Sequence, residues 1–202
     1  MGSSYESVLK EMARGGVAVY PTETLYALGC SGLNEAACRR VVEIKGRQEF
    51  KPLPLIVGSI EQLKVAAAEL TDDVRLLAAH FWPGPLSVLV PAAPGLAPQV
   101  KDHHGMTSVR VTPHPVAAAL CLDLNAPLVA TSANMAGGAP SSKPEDIDRC
   151  VMASAVFLGG EPRPLGGPPS TVVESLGGRF LRVIRRGAVT DSALKKAGYR
   201  LV

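Results

Sequence analysis

Hydrophobic and polar positions follow two rhythms along this chain. After Ser3 and Ser4, either of which can cap a helix, Val8, Leu9 and Met12 share one helical face and the pattern stops at Gly15–Gly16. The run "VAVY" then reads as a buried strand. A second amphipathic run, "NEAACRRVVEIKG", has Asn34 as N-cap and Gly46 as its C-terminal stop. "PLIV" is a short apolar strand, after which Ser59 and Gln62 form a capping-box pattern that opens a helix over "IEQLKVAAAEL". Thr71 caps "DDVRLLAAHFW", which Pro83 ends. "PLSVLVPA", "TSVRVT" and "APLVAT" read as further strands, with "PVAAALCLDL" a helix between the last two. "STVVESLGGRFLRVIRRG" reads as a hairpin joined around Gly177–Gly178. Such interleaving predicts an α/β protein whose sheet is mixed rather than wholly parallel.

Length adds that one domain, 1–202, is expected, since 202 residues with 47% hydrophobic content can bury a core without staples. No internal repeat or low-complexity linker divides the chain. Cys30, Cys38, Cys121 and Cys150 lie far apart with no CxxC pair, so free, mostly buried thiols are expected rather than a disulfide framework or zinc knot. The N-terminus has no apolar signal core, and no run approaches the roughly 18 apolar residues that a membrane span needs. A cytoplasmic protein with no membrane association is the expectation.

Charge narrows the chemistry. The net charge is only +3, so any anion-binding role must come from local placement of cations. Lys45, Arg47 and Lys51 fall within seven residues, just before the "PLIV" strand. Two readings stand: a solvated helix end whose carbonyls favour cations, or an anion site stiffened by Pro52 and Pro54 and suited to a polyphosphate. No GxxxxGK[ST], GxGxxG, HExxH or GxSxG motif is present. Among four histidines only the adjacent His103 and His104 invite a metal hypothesis, and sequence neighbours rarely point to one ion. The Pro- and Gly-rich segments 91–105 and 159–169 are loops, read either as lids or as surface decoration.

Small polar residues cluster at strand ends, in "YPTETLYALG", "ATSANMAGGAPS" and "PPSTVV". Ligands in open α/β sheets sit beyond the carboxyl ends of strands, so the first two loops are site candidates. Ser132 and Asn134, flanked by Ala133, Ala136, Gly137 and Gly138, suit either a phosphate grip or an ordinary capped turn. Arg110 interrupts the alternating "TSVRV" strand; directed into a cleft it needs an anionic partner, and directed outward it is a surface charge.

Taken together and in order, these stretches resemble the YrdC family of threonylcarbamoyl-AMP synthases. The match runs through "GGVAVYPTETLYALG", "KGRQEFKPLPLIV", "FWPGPLSVLV", "SVRVTPHP", "PLVATSAN", "STVV" and "IRRGAV". The Lys-x-Arg and Ser-x-Asn signature is met by Lys45, Arg47, Ser132 and Asn134. The resemblance implies a twisted mixed α/β sheet with flanking helices and a concave basic cleft. It also implies formation of threonylcarbamoyl-AMP and pyrophosphate from L-threonine, bicarbonate or CO2, and ATP with Mg2+. The product would feed tRNA threonylcarbamoyladenosine modification through downstream threonylcarbamoyl-transferase proteins.

Carried over by position, the resemblance implies that Arg47 and Lys51 hold ATP phosphates with Lys45 in support, that Ser132 and Asn134 grip the nucleotide, and that Arg185 closes over it. Thr24, Arg110 and Ser170 would bind threonine, the arginine pairing its carboxylate. The sequence departs from the family at Ala27, where glycine is usual, and at Gly58, where many members carry a threonine-binding histidine; Tyr26 or a loop histidine would then take that role. A single-domain form is expected, which disfavours a larger carbamoyltransferase. The competing reading is a non-catalytic module for double-stranded RNA or tRNA, which 4% aromatic content and a net charge of +3 disfavour.

Overall fold

Local capping starts most of the helices. The computed structural model describes residues 3–46 and 51–202. Helix α1 (Tyr5–Ala13) begins where the Ser4 hydroxyl accepts from the Ser7 amide, a cap worth about 1 kcal/mol, and it buries Val8 and Met12. Strand β1 (Ala18–Pro21) follows, and the tight turn at Thr22–Leu25 returns the chain as β2 (Tyr26–Gly29), antiparallel to it. The sequence reading leaves β2 inside a polar loop. Both strands are buried at every position, so no period-2 signal marks the second one.

Asn34 caps α2 (Glu35–Ile44), and Gly46 at φ +57° ends it in the left-handed region. Strand β3 (Leu55–Val57) leads not to the expected helix over residues 60–70 but to a single 3-10 turn, Glu61–Val65. The Ser59 hydroxyl does accept from Gln62 N, but the Gln62 side chain bonds Gly58 N and Cys121 O instead of closing a capping box. The alanines that follow extend to bridge Ala67 with Ala92, so pairing with a neighbouring strand overrides helix propensity.

Thr71 caps α3 (Asp72–Phe81), and then come β4 (Leu86–Pro91), β5 (Met106–Val111), α4 (Pro115–Asp123), β6 (Leu128–Val129) and β7 (Thr131–Ser132). The expected strand over "APLVAT" is thus two strands broken at Ala130. Helix α5 (Arg149–Ser154) and β8 (Val156–Phe157) precede the expected hairpin, β9 (Thr171–Ser175) and β10 (Phe180–Arg185). Helix α6 (Asp191–Lys196) and β11 (Arg200–Leu201) end the described chain.

Among the described residues a four-stranded sheet has the order β7-β2-β1-β8, and a seven-stranded mixed sheet the order β11-β10-β9-β4-β5-β3-β6. The fold class is mixed α/β. Strand β3 is buried on both faces: Leu55 and Val57 join a core with Val41, Val88, Val109 and Val173, while Ile56 joins Val8, Met12, Tyr20 and Leu120 beneath α1 and α4. No described helix is long and apolar enough to cross a membrane.

Gly58 sits where β3 leaves the sheet beneath α4. A Cβ there would lie 2.6 Å from the Ala118 carbonyl oxygen and 2.8 Å from Leu122 Cγ, so the position has no room for any side chain, histidine included. Gly58→Ala should lower stability by about 1–3 kcal/mol, read as a shifted denaturant midpoint at unchanged slope. An unshifted midpoint would refute this packing account.

Candidate active site

The chain changes sheet at one place. Leu128 and Val129 pair with β3 in the larger sheet; after Ala130, whose amide donates to Pro54 O, Thr131 and Ser132 pair with β2 in the smaller one. The close approach is possible because residue 29 is glycine: a Cβ there would fall 1.7 Å from the Val129 carbonyl oxygen, which also accepts from the Tyr20 hydroxyl at 2.6 Å. The two sheets part at this crossing.

The gap between them is a cavity of about 570 Å³. It is lined by residues from both sheets and from the segments flanking them. Thr24 comes from the β1–β2 connection and Tyr26 from the start of β2, Lys45 and Lys51 from either side of the stretch after α2, and Arg110 from β5. Ser132 and Asn134 come from β7 and the loop after it, Ser170 from just before β9, and Arg185 from the end of β10. Every site residue expected from the sequence lines this one cavity except Arg47, which lies outside the described residues. Gly58, His103, His104 and His114 are not among its lining residues, whereas Tyr26 is.

Of the four cations among the described lining residues, three have protein oxygens as partners. Lys45 is 5% exposed and its Nζ donates to the Ser132 and Asn134 carbonyls at 2.6 and 2.7 Å. The Ala136 amide returns a bond to Lys45 O. The end of α2 therefore clamps the "TSAN" loop through backbone groups. Asn134 shapes the same loop, its Nδ2 donating to Met135 O and Gly138 O at 2.7 Å each, while its buried Oδ1 has no partner. Arg185 donates to Ser170 O at 2.9 and 3.1 Å and to the Ser170 hydroxyl at 3.0 Å. Lys51 is exposed at the rim.

Arg110 is 4% exposed, and its Nε donates to Glu23 Oε1 at 2.8 Å. The Thr112 hydroxyl donates to Glu23 Oε2 at 3.0 Å. Burial alone would push the Glu23 carboxyl up, but the Arg110 charge and hydrogen bond, with help from Thr112, hold it below its ordinary value. The sequence reading names Thr24 and passes over Glu23. A signal for it exists: Glu23 is the sole Asp, Glu, Lys or Arg between Arg14 and Glu35, and Arg110 the sole one between Asp102 and Asp123. Two isolated, opposite charges in apolar stretches ask for each other.

The segment 159–169 crosses beside this corner as an irregular strap, as its composition predicts. Its backbone amides at Leu165 and Gly166 donate to the carbonyls of Glu23 and Thr24, and His114 Nε2 lies 2.9 Å from Pro162 O. Cys30 and Cys38 are buried free thiols 3.7 Å apart. The hydrogen bond with Cys38 and burial push the Cys30 thiol up, and burial pushes the Cys121 thiol up to about 12, so neither Cys30 nor Cys121 offers a thiolate nucleophile. Among the described residues no group of three His, Cys, Asp or Glu is arranged to hold a metal ion. The cavity's described lining residues offer donors suited to orienting anions, and no activated nucleophile is among them.

Residues 10–187 match the Sua5/YciO/YrdC family model, described as "Telomere recombination". The threonylcarbamoyl-AMP synthase of Methylococcus capsulatus is 38% identical over 178 residues, covering 85% of this chain and 92% of that protein. The threonylcarbamoyl-AMP synthase of Chromobacterium violaceum is 38% identical over 175 residues, covering 86% and 89%. A structure of P. abyssi Sua5 complexed with L-threonine superposes with a TM-score of 0.88 at 27% identity, covering 98% of this chain and 58% of that one. E. coli YciO superposes with a TM-score of 0.77 at 25% identity, covering 92% and 91%.

The Glu23–Arg110 pair should be visible in acid. With its folded pKa below the ordinary 4.5, Glu23 stabilises the fold fully above 4.5 and loses that contribution as pH falls through the lower folded value. Urea midpoints measured from about pH 6 to about pH 3 should therefore fall less steeply in Glu23→Gln than in the parent. Equal slopes would show that the pair contributes nothing.

Proposed function

The chain belongs to the Sua5/YciO/YrdC family, and from that premise we propose that it is an L-threonylcarbamoyladenylate synthase. The substrates are L-threonine, bicarbonate or CO2, and ATP. The observation that carries the reading is that polar and cationic residues from separate stretches of sequence line a single cavity, Lys51 and Arg185 among them as the cations assigned to phosphates and Arg110, Thr24 and Ser170 as the groups assigned to an amino acid. The M. capsulatus and C. violaceum relatives bear the synthase name, and P. abyssi Sua5 has been solved with L-threonine.

In this proposal the threonine amine adds to CO2 and loses a proton to give a carbamate. A carbamate oxygen then attacks the α-phosphorus of ATP, and the bond from that phosphorus to the bridging oxygen breaks to release pyrophosphate. No covalent enzyme intermediate is required, which suits a site rich in oriented donors and poor in nucleophiles. Arg110 would hold the threonine carboxylate, with Thr24 and Ser170 beside it. Lys51, Arg47 and Arg185 would hold the phosphates, and Ser132 and Asn134 the nucleotide on a loop fixed by Lys45. Mg2+ would enter on the ATP phosphates, neutralising part of their charge, since no protein cluster among the described residues offers it a cage.

The product, a mixed carbamic–phosphoric anhydride, would pass to threonylcarbamoyl-transfer proteins that act on tRNA, and the cytoplasm is the proposed place of action. The RNA-binding alternative is not favoured, because the relatives are named as synthases.

Two measurements test this. Incubation with ATP, Mg2+, bicarbonate and labelled threonine should release pyrophosphate only when threonine is present, and threonine-independent or absent release refutes the synthase. Lys51→Ala, at an exposed rim position, should cut kcat by about 100-fold while the melting temperature stays unchanged. A loss of stability instead of turnover would make Lys51 structural.

A further inference from the structure

Glu23 takes no part in the proposed synthesis, yet it is bonded to the arginine assigned to the threonine carboxylate. Its carboxylate is buried, its side chain being 9% exposed, and it is flanked by Thr22 and Thr24, both of which line the cavity. It accepts from Arg110 Nε on one oxygen and from the Thr112 hydroxyl on the other. Among the described residues the two terminal amino nitrogens of Arg110 carry no hydrogen bond, and Arg110 lines the cavity. A guanidinium offers two faces for bidentate pairing, a side face through Nε and an end face through its terminal nitrogens.

We propose that Glu23 is a positioning residue for amino-acid recognition, occupying the side face of Arg110 so that its end face alone is presented to the substrate carboxylate. This deepens the synthase proposal and rests on it. The arrangement has two physical consequences. A buried guanidinium without a counter-charge would swing toward whatever carboxylate or carbonyl it could reach, and Glu23, tied by Thr112, removes that freedom before threonine arrives. The pair is also nearly neutral, so threonine's carboxylate meets a preset pair of donors rather than a diffuse positive field that would accept any small anion.

The Glu23 backbone is held as well. Its carbonyl accepts from Leu165 N at 3.2 Å, and the next carbonyl, of Thr24, from Gly166 N at 2.9 Å, so the strap holds the backbone of the residue whose carboxylate Arg110 and Thr112 hold. A tether of this kind acts through Arg110 and should leave ATP recognition alone, because Arg185 is anchored on Ser170 and Lys51 stands at the exposed rim, neither bonded to Glu23.

The test is a mutant cycle read in steady-state kinetics on the whole protein. Glu23→Gln should raise the KM for L-threonine by roughly tenfold or more, with kcat and the KM for ATP changed by less than about threefold. In an Arg110→Gln background the same change should add nothing, because the residue through which it acts is gone. Thr112→Val, which keeps both charges and the side-chain shape, should raise the threonine KM by about two- to fivefold, and it carries the test if Glu23→Gln fails to fold. An unchanged threonine KM in the variants overturns the proposal, as do an equal loss in both KM values or an effect that persists without Arg110. If the parent protein shows no threonine-dependent pyrophosphate release, the synthase reading itself falls and takes the positioning role with it.

Discussion

The passage from Val129 through Ala130 to Thr131 constrains the rest of the molecule. Within these three residues the chain leaves the seven-stranded sheet and enters the four-stranded one, and the Val129 carbonyl must pass through the space that a Cβ at residue 29 would fill. The Tyr20 hydroxyl satisfies that carbonyl from the smaller sheet, and the Ala130 amide reaches Pro54 in the larger. The two sheets are therefore fastened together at one line and diverge from it. A cavity with walls from both sheets follows from the fastening, and so does the placing of the loop after β7 at its floor.

Around that cavity, positive charge is held rather than scattered. Lys45 donates to two carbonyl oxygens, Arg110 to a carboxylate, and Arg185 to the backbone and hydroxyl of Ser170. Side chains fixed in this way lose little further entropy when an anion arrives, and electrostatic stabilisation by groups already in place is the kind that favours transfer chemistry without a protein nucleophile. Burial raises the Cys30 and Cys121 thiols and so quiets covalent chemistry at both, while the exposed Cys150 is not among the described residues that line the cavity.

How far all this can be read from the residues depends on whether a local rule decides the outcome. Ser4, Asn34 and Thr71 cap helices where the pattern predicts, because the capping bond is made within three residues of chain. The hairpin around Gly177–Gly178 is local in the same sense. Strand β2 is hidden because it is buried on both faces and shows no alternation; "IEQLKVAAAEL" misleads because a bridge from Ala67 to Ala92 outbids its propensity. The site residues are legible as a set through motif order, but their mutual contacts are not, since Lys45 to Ser132 and Arg110 to Glu23 each span more than eighty residues. Lys45 is the instructive case. At a helix end it looks like a charge facing its own carbonyls, and it is instead the clamp on a loop from the other sheet.

The strap over residues 159–169 is attached to the rim of the cavity by main-chain amides, those of Leu165 and Gly166, and it carries Leu165 outward at 93% exposure. Attachment that does not consult side chains leaves side chains free to change. Substitutions at an exposed strap position such as Leu165 should therefore alter what surrounds the mouth of the site at little structural cost, whereas the ion pair and the sheet crossing each require particular residues.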